Sequence, residues 1–184
     1  MTTAPSRHAA FLRNVNLGRP GAPDRAAFEA AFLEAGAVRA SSFLVNGTLV
    51  FDTPAGLRPR ALAGRACALL RERCGLREPV FVRSVAALAA LVADAPFAGV
   101  PLAEGDAHCV SFVAASRIAL PALPFTNPRG DVALLAATDG EVLSLSRRLG
   151  VSAGSPNALL EKLLGVPATT RTWRTVVRLV EKFA

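Results

Sequence analysis

Anion recognition is the chemistry this chain's residue types serve best. Arg13, Asn16 and Gly18 stand within one six-residue stretch, and Asn46, Gly47 and Thr48 within another. Arg83 closes a β-rich run, and Arg171 and Arg174 bracket the single Trp. A guanidinium can hold a carboxylate or phosphate through two parallel N–H donors, amides and hydroxyls add neutral donors, and glycine lets the backbone approach. These residues are the candidate contacts to an anionic ligand, nucleic acid among the possible ones; the alternative is that Arg13, Arg83, Arg171 and Arg174 tie the two halves of the chain together through backbone carbonyls and carboxylates. The net charge of +7 agrees with that choice of partner.

The C-terminal stretch sharpens it. On a helix, Trp173, Val176, Val177, Val180 and Phe183 fall on one side. Arg171, Arg174, Arg178 and Lys182 fall on the other, because offsets of three and four residues stay on one face. One side would plug a core, with Trp173 mostly buried, and the other would be a row of cations. Thr169 or Thr170 would cap this helix.

Other chemistries find less material. Nucleophilic dyads need a histidine, and the chain has two, His8 and His108. His108 follows directly on a loop and precedes Cys109, but adjacent strand residues point to opposite faces. Glu104-x-Asp106-x-His108 could offer oxygen and nitrogen ligands, yet it reads more simply as a solvated acidic loop. Cys67 and Cys74 lie seven apart on a helix, roughly 10 Å, which is too far for a disulfide. No C-x-x-C occurs, so no metal and no cofactor is expected. Asn16-x-Gly18 with Gly21 could cradle a phosphate, but Pro20 and Pro23 remove donors and Asp24 adds a negative charge. Phe11 and Phe51 are available for base stacking, without the aromatic signature of an RNA-binding sheet.

The elements that must position these residues follow from pattern and punctuation. A strand runs from His8 to Val15, and Asp24 caps a helix bearing Phe28, Phe32 and Leu33. A second strand covers Val38 to Val45. Asn46-Gly47 forms a two-residue type I′ turn, and Thr48 to Phe51 returns. A helix spans Pro59 to Cys74, stopped by Gly75, and Pro79 to Arg83 is a fourth strand. This is the βαββαβ order of a ferredoxin-like unit over residues 1–83. With the first and third strands taken as parallel, Arg83 lies near the Asn46-Gly47 turn, and Arg13 and Asn16 lie at the opposite end of the sheet.

Residues 84–184 read as a second α+β half. Ser84 caps a short helix, His108 to Ala114 is a strand, and Asp131 to Ala137 pairs with Glu141 to Ser146 across Asp139-Gly140. Ser155-Pro156 opens a helix, and the terminal helix locks onto the body, giving one compact unit of 184 residues. The hydrophobic content of 52% with 19% charged residues excludes disorder. No apolar run is long enough to cross a bilayer and no secretory signal opens the chain, so a cytoplasmic protein without membrane partners is expected.

Five motifs now stand at fixed places: Phe11-Leu12-Arg13-Asn14-Val15-Asn16-Leu17-Gly18, Phe43 through Phe51, Pro79 through Ser84, Leu160 through Gly165, and Thr169 through Val176. As a set they resemble domain-of-unknown-function family 1697, whose members are mostly bacterial. The family pattern Leu-Arg-Gly-Ile-Asn-x-Gly matches at Arg13, Asn16 and Gly18. Its Gln-Ser-Gly-Asn-Val-Val-Phe matches at Gly47 and Phe51, and its Thr-Thr-Arg-Asn-Trp-Asn-Thr at Thr170, Arg171 and Trp173; Arg83 also matches. Asn14, Val45, Asn46, Thr48, Thr172 and Arg174 depart from it, several at amide positions. The resemblance implies an α+β fold with a ferredoxin-like part and carries no activity.

The resulting expectation is a non-catalytic binding protein for an anionic ligand. The alternatives are an enzyme on a small phosphorylated or carboxylated substrate and a homo-oligomeric interaction protein, the simplest being a homodimer.

Overall fold

A computed structural model describes residues 5–114 and 119–184. The chain divides into two compact units, one running to Ala90 and taking in Lys182–Ala184, the other spanning Leu91–Glu181. Among the described residues the fold is α+β, with antiparallel sheets and five α-helices.

The first unit runs β1 (Ser6–Leu12), α1 (Arg25–Glu34), β2 (Arg39–Ser42), β3 (Thr48–Thr53), α2 (Pro59–Cys74), β4 (Val80–Ser84). Its sheet order is β2-β3-β1-β4, the ferredoxin-like arrangement. Asp24 caps α1 by accepting from the Ala27 N–H at 2.8 Å. Pro59 opens α2, where the missing N–H costs nothing, and Gly75 closes it at φ 73°. Both helices cover one sheet face. Phe28, Phe32, Leu62 and Leu70 pack there on Leu12, Leu49 and Phe51, all essentially inaccessible. The Phe32 and Phe51 rings lie 5.1 Å apart. The β2 edge is blunted, because Glu29 Oε1 accepts the Ser42 N–H at 2.8 Å.

Three expectations need correction. β1 ends at Leu12 rather than Val15, since Asn14 takes a left-handed φ of 51° and turns the chain. The β2–β3 connection is wider than a two-residue turn: Leu44 through Gly47 bridge it, closed by Phe43 N–H to Thr48 O at 2.7 Å. Positive φ falls on Leu44 (64°) and Gly47 (67°), not on Asn46. Finally, β1 runs antiparallel to β3 as well as to β4. That follows from connectivity: a crossover helix makes β1 and β2 parallel, and the hairpin then reverses β3.

In between, α3 (Val85–Ala93) starts with Ser84 Oγ accepting the Ala87 N–H at 3.1 Å. The second unit contains β5 (Ala107–Val113), β6 (Phe125–Thr126), β7 (Val132–Ala137), β8 (Glu141–Ser146), β9 (Arg148–Leu149), β10 (Ser152–Ala153), α4 (Pro156–Leu164), β11 (Ala168–Thr172) and all but the last two residues of α5 (Trp173–Phe183). Its main sheet is ordered β11-β5-β8-β7-β6. Val113, Val132, Leu134, Val142, Leu160 and Ala168 make its core. The strand expected to end at Ala114 stops at Val113.

The chain's end departs most from expectation. Thr169, Thr170 and Arg171 are strand residues of β11, and the helix begins only at Trp173. Neither Thr169 nor Thr170 caps it; Thr172 Oγ1 sits 3.0 Å from Thr175 Oγ1 at its first turn. β-branched Thr at successive positions favours the strand paired to β5. The fully buried stripe of α5 is Thr175, Val176 and Leu179, and Trp173 beside it is mostly but not fully buried, as expected. The Trp173 ring meets Phe97 edge-on at 5.2 Å. Trp173→Ala should therefore cost about 2 kcal/mol, below the roughly 3–5 of a fully buried aromatic. Urea unfolding checks this; a loss above that range would mean the ring carries more of the core than its exposure indicates.

Candidate functional site

The loops at one end of the first sheet enclose a cleft of about 370 Å³. One wall is the β1–α1 loop, with Asn14, Asn16 and Arg19; the other is the α2–β4 loop, with Arg77 and Glu78. Left-handed residues shape both walls: Asn14 (φ 51°) and Gly21 (76°) on one, Gly75 (73°) on the other. Asparagine and glycine are the residues that enter this region at least cost.

Backbone bonds hold the walls. Arg13 N–H donates to Pro79 O at 3.2 Å, and Leu17 N–H to Val45 O at 2.7 Å. Arg13 Nη1 donates to Glu78 Oε2 at 2.9 Å, joining the two loops by an ion pair. Gly18 N–H goes to Pro23 O, Arg19 N–H to Asn16 O, and Ala22 N–H to Arg19 O. Those three donors are spent within the loop. The charge of the cleft comes from side chains. Arg19 and Arg77 are exposed and meet no carboxylate among the described residues, while Glu78 is already engaged by Arg13. A cleft of net positive potential results.

The structure gathers part of the candidate set and scatters the rest. Arg13, Asn16, Gly18, Asn46, Gly47 and Thr48 all lie at this end, because Leu12 N–H bonds Gly47 O at 2.8 Å. The expectation that the Asn46-Gly47 turn and Arg13 lie at opposite ends was wrong, and its cause is the reversed β3. Asn16 lines the cleft; Gly18 does not. Asn46 Oδ1 accepts from the buried Thr48 hydroxyl at 2.8 Å, which braces the connection. Arg83 pairs in register with Ala9, away from the turn it was expected to neighbour, and its Nη1 donates to Val82 O at 2.9 Å. Arg171 does not join a helical cation row. It is a buried strand residue whose Nη1 donates to Thr169 Oγ1 and Thr170 O, both at 2.9 Å. Burial pulls its pKa down to about 10. Arg174 is exposed on α5.

Asn14, Arg19, Arg77 and Glu78 were missed. The signal lay in the topology: antiparallel β1 and β4 bring the end of β1 beside the residues that precede β4.

Several other polar groups are engaged within the fold. The His108 ring stacks on Phe97 at 4.3 Å with Nε2 3.0 Å from Val100 O, and Asp106 Oδ1 accepts the Arg148 N–H at 3.0 Å. No three potential metal ligands gather among the described residues. Burial pushes the Cys67 and Cys109 thiols up to about 11, so neither is a thiolate near neutral pH. Burial also lowers the His8 pKa, against the opposing pull of Ser6 O and Asp52. No helix among the described residues is long and apolar enough to cross a membrane.

A ferredoxin-like sheet joined to a second antiparallel α+β unit, with a basic cleft among the loops of the first, defines the class. The family described as protein of unknown function (DUF1697) matches residues 6–135, and the chain belongs to it. A solved structure, that of the conserved bacterial protein SP0830 from Streptococcus pneumoniae, is similar at TM-score 0.61 and 15% identity, covering 97% of this chain and 98% of that one. At that identity the likeness is one of fold. No curated protein matches the chain.

Proposed function

We propose that the protein is a non-catalytic binder of a small anionic ligand, held in the loop-end cleft of the first unit. The observation that carries this reading is the pair Arg19 and Arg77, two exposed guanidiniums without a carboxylate partner among the described residues, one on each loop wall, with Asn14 and Asn16 lining the same cleft on the wall of Arg19. An anion bridging them gains two charge-assisted contacts, and the neutral amides orient it. Binding is favoured over catalysis because the one acid lining the cleft, Glu78, is occupied by Arg13. Calorimetric titration with inorganic phosphate, pyrophosphate and citrate tests it. Saturable binding that weakens in Arg77→Gln is the expected result; heats of dilution alone for all three would contradict it.

Three free cysteines support placing the protein in a reducing bacterial cytoplasm.

Nucleic acid is the second reading, favoured by Arg174 and Arg178, exposed four residues apart on one side of α5. Affinity for a short single strand should then fall steeply with salt, and Arg174→Gln with Arg178→Gln should flatten the slope by about two phosphate contacts. A slope unchanged in the double variant would remove α5 from consideration.

A further inference from the structure

A second cleft, of about 250 Å³, opens on the first unit at residues that β1, β2 and β3 bring into register. Asp52 on β3 stands directly opposite Arg7 on β1 and Arg39 on β2, so the three side chains share one face in one rung. Two residues along, Val50 stands opposite Ser41 on that same face. It is the face away from α1 and α2, since the alternate residues Leu49 and Phe51 fill the helix-covered core. Phe183 completes the cleft.

The charges in this rung are unequal. Arg7 donates to Asp52 through Nε at 2.8 Å and Nη2 at 3.4 Å, and its Nη1 donates to Phe183 O at 2.8 Å. Asp52, nearly inaccessible, is thereby neutralised. Arg39 is exposed, and no carboxylate ion pair to it occurs among the described residues. The cleft therefore presents one uncompensated guanidinium, the Ser41 hydroxyl, and the apolar Val50 and Phe183. One net charge calls for a monoanion, and apolar lining calls for an apolar body beside it. The volume, below the roughly 300–1,000 Å³ of drug-sized sites, calls for a small one.

We propose that this cleft is a second binding site, for a small organic monocarboxylate whose head is held by Arg39 and Ser41 while its apolar part rests on Val50 and Phe183. It stands independently of the loop-end cleft, with which it shares no residue.

Hexanoate and its neutral counterpart hexanamide are the probes, followed by amide chemical shifts of the full chain. Hexanoate should shift the Arg39, Ser41 and Val50 amides saturably, and hexanamide should bind roughly tenfold more weakly or worse, as loss of one charge-assisted contact requires. Arg39→Gln, at an exposed position, should weaken hexanoate about tenfold with its spectrum otherwise intact, while Arg77→Gln should leave it unchanged. Equal binding of the acid and the amide would overturn the proposal. So would an unaffected Arg39→Gln, an absence of shifts at these amides, or inorganic phosphate displacing hexanoate as effectively as a second carboxylate does.

Discussion

Gly47→Val should destabilise the protein by about 3 kcal/mol or more, combining left-handed backbone strain with overpacking. Gly47 has φ 67°, a region β-branched side chains resist. A Cβ there would stand 2.9 Å from Val15 Cβ and 3.2 Å from Leu12 Cβ. Those atoms are first side-chain carbons of buried residues, so they can retreat only if the backbone moves. Moving it would break the bond from Leu12 N–H to Gly47 O that ties the end of β1 to the β2–β3 connection. Gly47→Ala meets the same contacts and should cost nearly as much, which separates this cause from β-branching alone. Because Val15 sits between Asn14 and Asn16, both variants should also disturb the cleft. Urea unfolding measures the effect; a Gly47→Ala loss under about 0.5 kcal/mol, the range of an ordinary surface change, would contradict the crowding.

The largest functional effect should come from Arg19→Gln combined with Arg77→Gln. Each removes one charge-assisted contact, worth about tenfold in affinity, and the pair should weaken the anion about a hundredfold if the contacts act independently. Both side chains are exposed and neither forms an ion pair among the described residues, so stability should change little. Unchanged phosphate affinity in the double variant, with the fold intact, would take the ligand away from this cleft.

Much of the first unit was legible because its punctuation is local. Asp24, Pro59 and Gly75 act within one helical turn of themselves, and α2 runs over the expected Pro59–Cys74. The α+β class and the family resemblance were legible for the same reason. Strand direction is a consequence of connectivity over many residues, and one misassigned direction moved Arg83 to the Asn46-Gly47 turn and Arg13 away from it. Arg77 and Glu78 were overlooked for another reason: they are remote from Arg13 in sequence and become its neighbours only through the β1–β4 register, which places the residues preceding β4 beside the end of β1. At the C-terminal end, the apolar periodicity of residues 173–183 was read correctly as helix, but the stripe was placed one residue off. Thr175 and Leu179 are buried where Val177 and Val180 were expected to be. Helical periodicity extended back over Thr169–Arg171 also concealed that β11 pairs with β5, a contact across more than fifty residues.

The central claim, that the loop-end cleft holds a small anion, is tested most directly by mapping amide shifts during a titration with inorganic phosphate and pyrophosphate. Shifts should concentrate in residues 14–21 and 75–78 and should vanish when Arg19 and Arg77 are both glutamine. Shifts confined to the exposed side of α5 around Arg174 and Arg178, or none at either loop, would contradict it.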